Sequence, residues 1–172
     1  MLIREIKGIQ DYEKTADPNE YLNHSYQSAS NKIQPFGDSA FTKIASIPGM
    51  PTNEVYTNGY TTSIFIMKGS EPIFLLNLTR FAKGYSTTNV VVHSSHTGQG
   101  FAVPTYLAVS KAYGVPLYSF GTHTPAGERI WQTLHQQYPH RVSGINVKTN
   151  QTVNYEDLKD SDFNTRAVLY PE

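Results

Sequence analysis

The chain has 172 residues, with 14 Lys and Arg balancing 14 Asp and Glu, and no cysteine. That length suits one domain able to bury its own core, and the absence of cysteine excludes disulfides, thiolate metal sites and a cysteine nucleophile. A formal charge of zero leaves no global field to hold nucleic acid or an anionic membrane, so any polyanion site must be local.

The first residues mix Arg4, Glu5, Lys7, Asp11 and Glu13 among apolar ones, which excludes a signal-peptide core. No apolar run reaches the roughly 20 residues that span a bilayer, so a soluble, cytoplasmic protein is expected. Leu2 to Lys7 alternates as a short edge strand. Asp17-Pro18-Asn19-Glu20 then supplies a cap, a first-turn proline and an early carboxylate, and Leu22, Tyr26, Ala29 and Ile33 follow as one helical stripe ended by Pro35 and Gly37. Ser39 to Pro51 has no readable period.

Tyr60 to Met67 and Ile73 to Thr79 are β-branched and aromatic around Gly69-Ser70, which predicts a hairpin. Thr88 to His93 adds a third strand to an antiparallel meander. Ala102, Tyr106, Val109 and Tyr113 predict a helix stopped by Gly114-Val115-Pro116, and Val115 to Phe120 a short strand. Thr124-Pro125 starts another helix, with Ile130, Trp131, Leu134 and Tyr138 turned inward. Val142 to Val147 and Thr152 to Tyr155 form a hairpin, and Arg166 to Tyr170 a last strand. The order is that of an α+β domain with a mixed sheet, and no linker or repeat divides residues 1–172.

The chemistry concentrates where the third strand runs through Ser94-Ser95-His96 into Thr97-Gly98-Gln99-Gly100-Phe101-Ala102. A helix start carries unpaired amides and a positive dipole end, and two glycines let the backbone curl around an anion without Cβ atoms in the way. Pro104 gives up an amide that the first turn could not have used. An isolated glycine pair is also what any tight strand-to-helix turn needs.

With its flanks the segment says more. Val92-His93-Ser94-Ser95-His96-Thr97-Gly98-Gln99-Gly100-Phe101-Ala102, the helix through Tyr113, the strand Leu117 to Phe120 and the helix carrying Trp131 together resemble the coenzyme A half of the GNAT acyltransferase superfamily, over roughly Val90 to Tyr138. Short GNAT-like proteins encoded by bacteriophages share this pattern. The resemblance implies a mostly antiparallel sheet with a splayed central strand pair, helices on both faces, and an acyl-coenzyme A such as acetyl-coenzyme A in the gap. Val92 and His93 would offer backbone groups to the pantetheine, and Thr97, Gly98, Gln99, Gly100, Phe101 and Ala102 would hold the pyrophosphate. The family motif begins with Arg or Gln where this chain has Thr97, and a Tyr that protonates the departing thiolate in the family is replaced by Trp131, which then borders the cofactor.

The residues offer substitutes for that proton chemistry. His93 at the strand end is the candidate base, with a structural backbone hydrogen bond as the alternative. Ser119, Tyr118 and Tyr138 are candidate donors to the thiolate. His93, His96 and His123 share one predicted edge, which keeps a metal-dependent hydrolase open, although no carboxylate lies near them in sequence. Thr79-Arg80-Phe81 with Lys83 is a small basic cluster after the second strand. The expected function is acyl transfer to an amine of a small molecule or protein, and the alternative is a catalytically silent binding protein that keeps the groove.

Overall fold

In the computed structural model, residues 17–32, 52–57, 60–121, 124–158 and 164–172 are described. The predicted strand at Leu2 to Lys7, the stripe residue Ile33, the helix end at Pro35 and Gly37, the stretch Ser39 to Pro51, and His123 lie outside them. The elements are α1 (Pro18–Lys32), β1 (Asn53–Thr57), β2 (Thr61–Lys68), β3 (Glu71–Phe81), β4 (Gly84–Val92), α2 (Ala102–Tyr113), β5 (Leu117–Tyr118), α3 (Pro125–Gln137), β6 (Val142–Asn146), β7 (Gln151–Val153) and β8 (Thr165–Leu169). The strands make one sheet in the order β1-β2-β3-β4-β5-β8-β6-β7. All neighbours are antiparallel except β4 and β5, the middle pair.

Alternation along β2 and β3 sends successive side chains to opposite faces, and both faces are buried. Ile64, Ile66, Phe74, Leu76 and Leu78 pack with Tyr106 and Val109 of α2 and with Trp131 and Leu134 of α3. Phe65, Met67 and Leu75 pack on the other face against Leu22 and Ala29 of α1. The α+β class, the mixed sheet and helices on both faces are therefore as expected from the sequence.

Local chemistry explains the element ends. The Asp17 carboxylate accepts from the Asn19 amide at 2.8 Å to start α1, and Thr124 Oγ1 accepts from the Gly127 amide at 3.1 Å to start α3. Gly114, with φ at 64°, closes α2 by donating its amide to the Ser110 carbonyl. Besides β5, which shortens to Leu117–Tyr118, and β7, which shifts to Gln151–Val153, the strands β1, β3 and β4 differ from the sequence reading. β1 was unread, because five residues including Glu54 carry little β signal; tertiary contacts stabilise it, Glu54 accepting from the hydroxyls of Tyr26 at 2.7 Å and Tyr56 at 2.6 Å. β4 begins at Gly84 rather than Thr88, its first half being too polar to read as a core strand. Arg80 and Phe81 thus belong to β3, not to a basic loop after it, and Ala82 and Lys83 make the turn.

Gly84 is fixed by close approach. A Cβ there would overlap the Pro116 carbonyl, which accepts from the Tyr85 amide at 3.1 Å where β4 meets β5. We predict that Gly84→Ala destabilises the protein by about 1–3 kcal/mol, the cost of forcing backbone apart. Chemical denaturation tests this, and an unchanged midpoint would contradict the close contact.

Candidate functional site

β4 pairs with β3 along its whole length, from Phe81↔Gly84 to Phe74↔Val92. On its other side it pairs with β5 only through Tyr85↔Leu117 and Ser86↔Tyr118. The register on β3 slips between Asn77 and Leu78, which face Asn89 and Thr87 and leave Thr88 as the extra residue of a bulge. A bulge bends its strand and sharpens the twist, and this one lies directly after the last β5 pair. Thr88 Oγ1 donates to the Asn77 carbonyl at 3.3 Å and holds the bend.

The bulge also reverses which residues face the gap. Before it, the Tyr85 amide donates toward β5, to Pro116. After it, the His93 amide donates toward β3, to the Ile73 carbonyl at 2.9 Å. Strand alternation then turns the backbone groups of Val90 and Val92 to the side left open by β5. Of the two predicted backbone contributors, Val92 faces the gap and His93 faces away from it.

The gap leads to the glycine turn. A short 3-10 turn, Ser94–His96, precedes Thr97, Gly98, Gln99 and Gly100, all four exposed. Gly98 and Gly100 have φ of 80° and 76°, and nothing lies within 4 Å of where their Cβ atoms would be. Phe101 is the α2 N-cap residue and gives no side-chain cap, so the first amides of the helix keep the unpaired character of a helix start. The Phe101 ring is buried against Phe74, with centroids 6.2 Å apart, and anchors the turn to the core. The helix entrance is open to solvent and has no side-chain cap.

His93 has its ring engaged. Nδ1 accepts from the Ser95 amide at 3.2 Å, and Nε2 lies 3.3 Å from a Glu71 carboxylate oxygen. With Nδ1 an acceptor, Nε2 carries the proton and donates to Glu71. His93 stands at the glycine end of the gap, five residues past the bulge, or about 17 Å of strand. Sequence reasoning set it beside the reacting centre, and the structure puts it at the turn. Ser119 is 1% exposed and sits at the junction, but its Oγ accepts from the Ala167 amide at 3.0 Å and so engages β8. Trp131 is 2% exposed, in the core with its ring 5.6 Å from that of Tyr106, apart from the exposed turn. Tyr138 packs at the end of α3 against the same core. The Tyr118 ring sits 5.3 Å from that of Phe81 on the opposite face, and burial raises its phenol.

Two junction residues escaped the sequence reading. Tyr106 is buried beneath the junction with its hydroxyl hydrogen-bonded to Thr87, whose own Oγ1 donates to the Tyr118 carbonyl at 3.3 Å. Burial pushes the Tyr106 phenol well above its usual range and outweighs the opposing Thr87 bond, so it stays neutral. Arg166 of β8 reaches the junction on the opposite face, donating from Nη1 to the Ser119 carbonyl at 3.2 Å and to Ser86 Oγ at 3.4 Å. Helical spacing marked Tyr106 only as core, and a lone Arg near the C-terminus carried no motif.

No family model matches this chain, and no curated protein does. Among solved structures, one resembling it is a protein from Bacteroides thetaiotaomicron assigned to the GNAT family of acetyltransferases. The likeness has a TM-score of 0.42 at 14% identity, over 82% of this chain and 87% of the other. At that distance it bears on neither activity nor site. Among the described residues no group of three His, Asp or Glu side chains could hold a metal, and no helix is long and apolar enough to cross a membrane.

If His93 serves the turn as a cap, His93→Ala should cost about 0.5–2 kcal/mol, and His93→Asn, which keeps an acceptor, should recover most of it. Urea unfolding of the pair tests this, and equal losses would contradict the capping role.

Proposed function

We propose that the chain binds an acyl-coenzyme A in the gap between β4 and β5 and transfers the acyl group to an amine, in the manner of the GNAT acyltransferases. One observation carries this reading: the parallel central pair separates at a bulge, and the open strand edge leads straight to an uncapped helix start behind two positive-φ glycines. An extended pantetheine has free backbone at Val90 and Val92 to bond with, and its diphosphate ends at the glycine turn, beside Gly98, Gly100 and the first amides of α2. The thioester end then falls at the junction, between Tyr106 on one face and Arg166 on the other. Bound there, the cofactor supplies an activated acyl carbon. Tyr106 is the neutral hydroxyl best placed to donate toward a departing thiolate, taking the part expected from the sequence for Ser119, Tyr118 or Tyr138.

A second reading, binding without turnover, is favoured by the engagement of the two predicted catalytic side chains, His93 with Ser95 and Glu71, and Ser119 with Ala167.

Acetyl-coenzyme A at about 100 times its Kd should stabilise the folded chain by about 2.7 kcal/mol, read as a rise in Tm. Gly100→Asp sets a carboxylate against the diphosphate while meeting open space in the protein, so it should abolish that rise. Its own Tm should fall by only about 2–4 °C, from roughly 1 kcal/mol of positive-φ strain. Absence of a rise at millimolar cofactor in the wild type overturns both readings of the gap. A rise with Tyr106→Phe turning over as fast as wild type overturns only the assignment of Tyr106.

A further inference from the structure

Arg166 is a half-buried guanidinium with no acid partner among the described residues. Its described hydrogen bonds use Nη1 alone, to Ser119 and Ser86, and none of the described ion pairs includes it. Nε is buried with no hydrogen-bond partner. A buried, unsatisfied donor on a permanently charged group is costly and calls for an explanation. Aromatic contact supplies part of one: the guanidinium carbon lies 4.1 Å from the centroid of the Phe81 ring and 6.0 Å from that of Phe120. Such contacts fix the plane of the fork and leave the hydrogen-bonding edge unused. Phe120 is 42% accessible beside it.

We propose that the Nε and Nη2 edge of Arg166 binds a carboxylate of the amine acceptor, so that the acceptor is an amino acid or another small amine bearing a carboxylate. This rests on the acyl-transfer reading for the word acceptor, but the anion site itself does not. The planar fork matches a carboxylate through two parallel hydrogen bonds, Phe81 and Phe120 hold it in plane, and Phe120 offers an apolar wall to the rest of the molecule. The Nη1 bond to the Ser119 carbonyl ties the fork to the strand junction, within a small molecule's reach of the thioester position. Approach from this face leaves the opposite face to Tyr106, so the amine and the leaving thiolate are served from two sides of the sheet.

The test uses the full chain without cofactor. The Arg166 side-chain Nε–Hε signal, identified by its loss in Arg166→Lys, is followed by NMR during titration with sodium benzoate, with benzamide and sodium chloride as controls. A saturable shift with benzoate alone is expected, and Phe120→Ala, which removes only an exposed ring, should weaken it. Arg166→Lys keeps the charge but loses the fork, and benzoate affinity read from backbone signals of Ser119 and Phe120 should fall at least roughly tenfold. Equal response to benzamide, or no saturable response to benzoate in the folded wild type, overturns the site. With acetyl-coenzyme A, free amino acids should outcompete their amides as acceptors, and Arg166→Lys should raise KM for the acids while leaving that for the amides unchanged. A carboxylate response in a protein that does not bind acetyl-coenzyme A would retain the anion site and remove only its role in acyl transfer.

Discussion

The functional geometry depends on the bulge at Thr88. A strand in the middle of a sheet ordinarily satisfies its backbone on both sides, and β4 does so against β3 throughout while leaving β5 after two residues. One extra residue produces both effects needed for a cleft: it bends β4 away from its neighbour, and it reverses the parity that decides which amides face the opening. Without that insertion, Val92 would turn its backbone to β3 and His93 would face the gap. The close approach at Gly84 fixes the other end, because the separation has a sharp starting point only if the first pairs are tight.

Most strands, the helices and the glycine turn were legible in the sequence because each rests on local chemistry. Glycine at positive φ, Thr124 and Pro125 at a helix start, and apolar residues at spacings of three and four act within a few residues of themselves. β1 was not legible, since Asn53 to Thr57 is held by pairing with β2 and by Tyr26 of α1, whose hydroxyl reaches Glu54 from elsewhere. The site divided in the same way. Val92, Gly98 and Gly100 could be placed because a strand leads directly into the turn. His93 was expected beside the thioester, and under the proposed reading it lies at the other end of the gap, because the junction of β4 with β5 lies at the strand's start rather than its finish. Tyr106 and Arg166 reach the junction from α2 and β8, a convergence that only the fold creates.

The two faces of the junction differ in character. On the α2 and α3 side, Tyr106 and Thr87 are enclosed in the main core, where water is excluded and a hydroxyl keeps its proton. On the other side, the cluster of Tyr118, Ile145 and Val168 is bordered by Phe81 and Tyr170, and burial lowers the pKa of Arg166. One sheet thus separates a dry face carrying a buried phenol from a cationic, aromatic one.

Helix α1 is clasped to the end of β4. Asn19 donates from Nδ2 to Ser94 Oγ at 2.9 Å and accepts from the Ser94 amide at 2.8 Å, while Asn89 donates to the Tyr21 hydroxyl at 2.7 Å. The first turn of α1 therefore rides on the strand that ends in the glycine turn, and the two cannot loosen separately. Amide exchange at Ser94 becomes a gauge of helix docking on the opposite face, a built-in reporter that links the anchoring of one layer to the rigidity of the loop beside it.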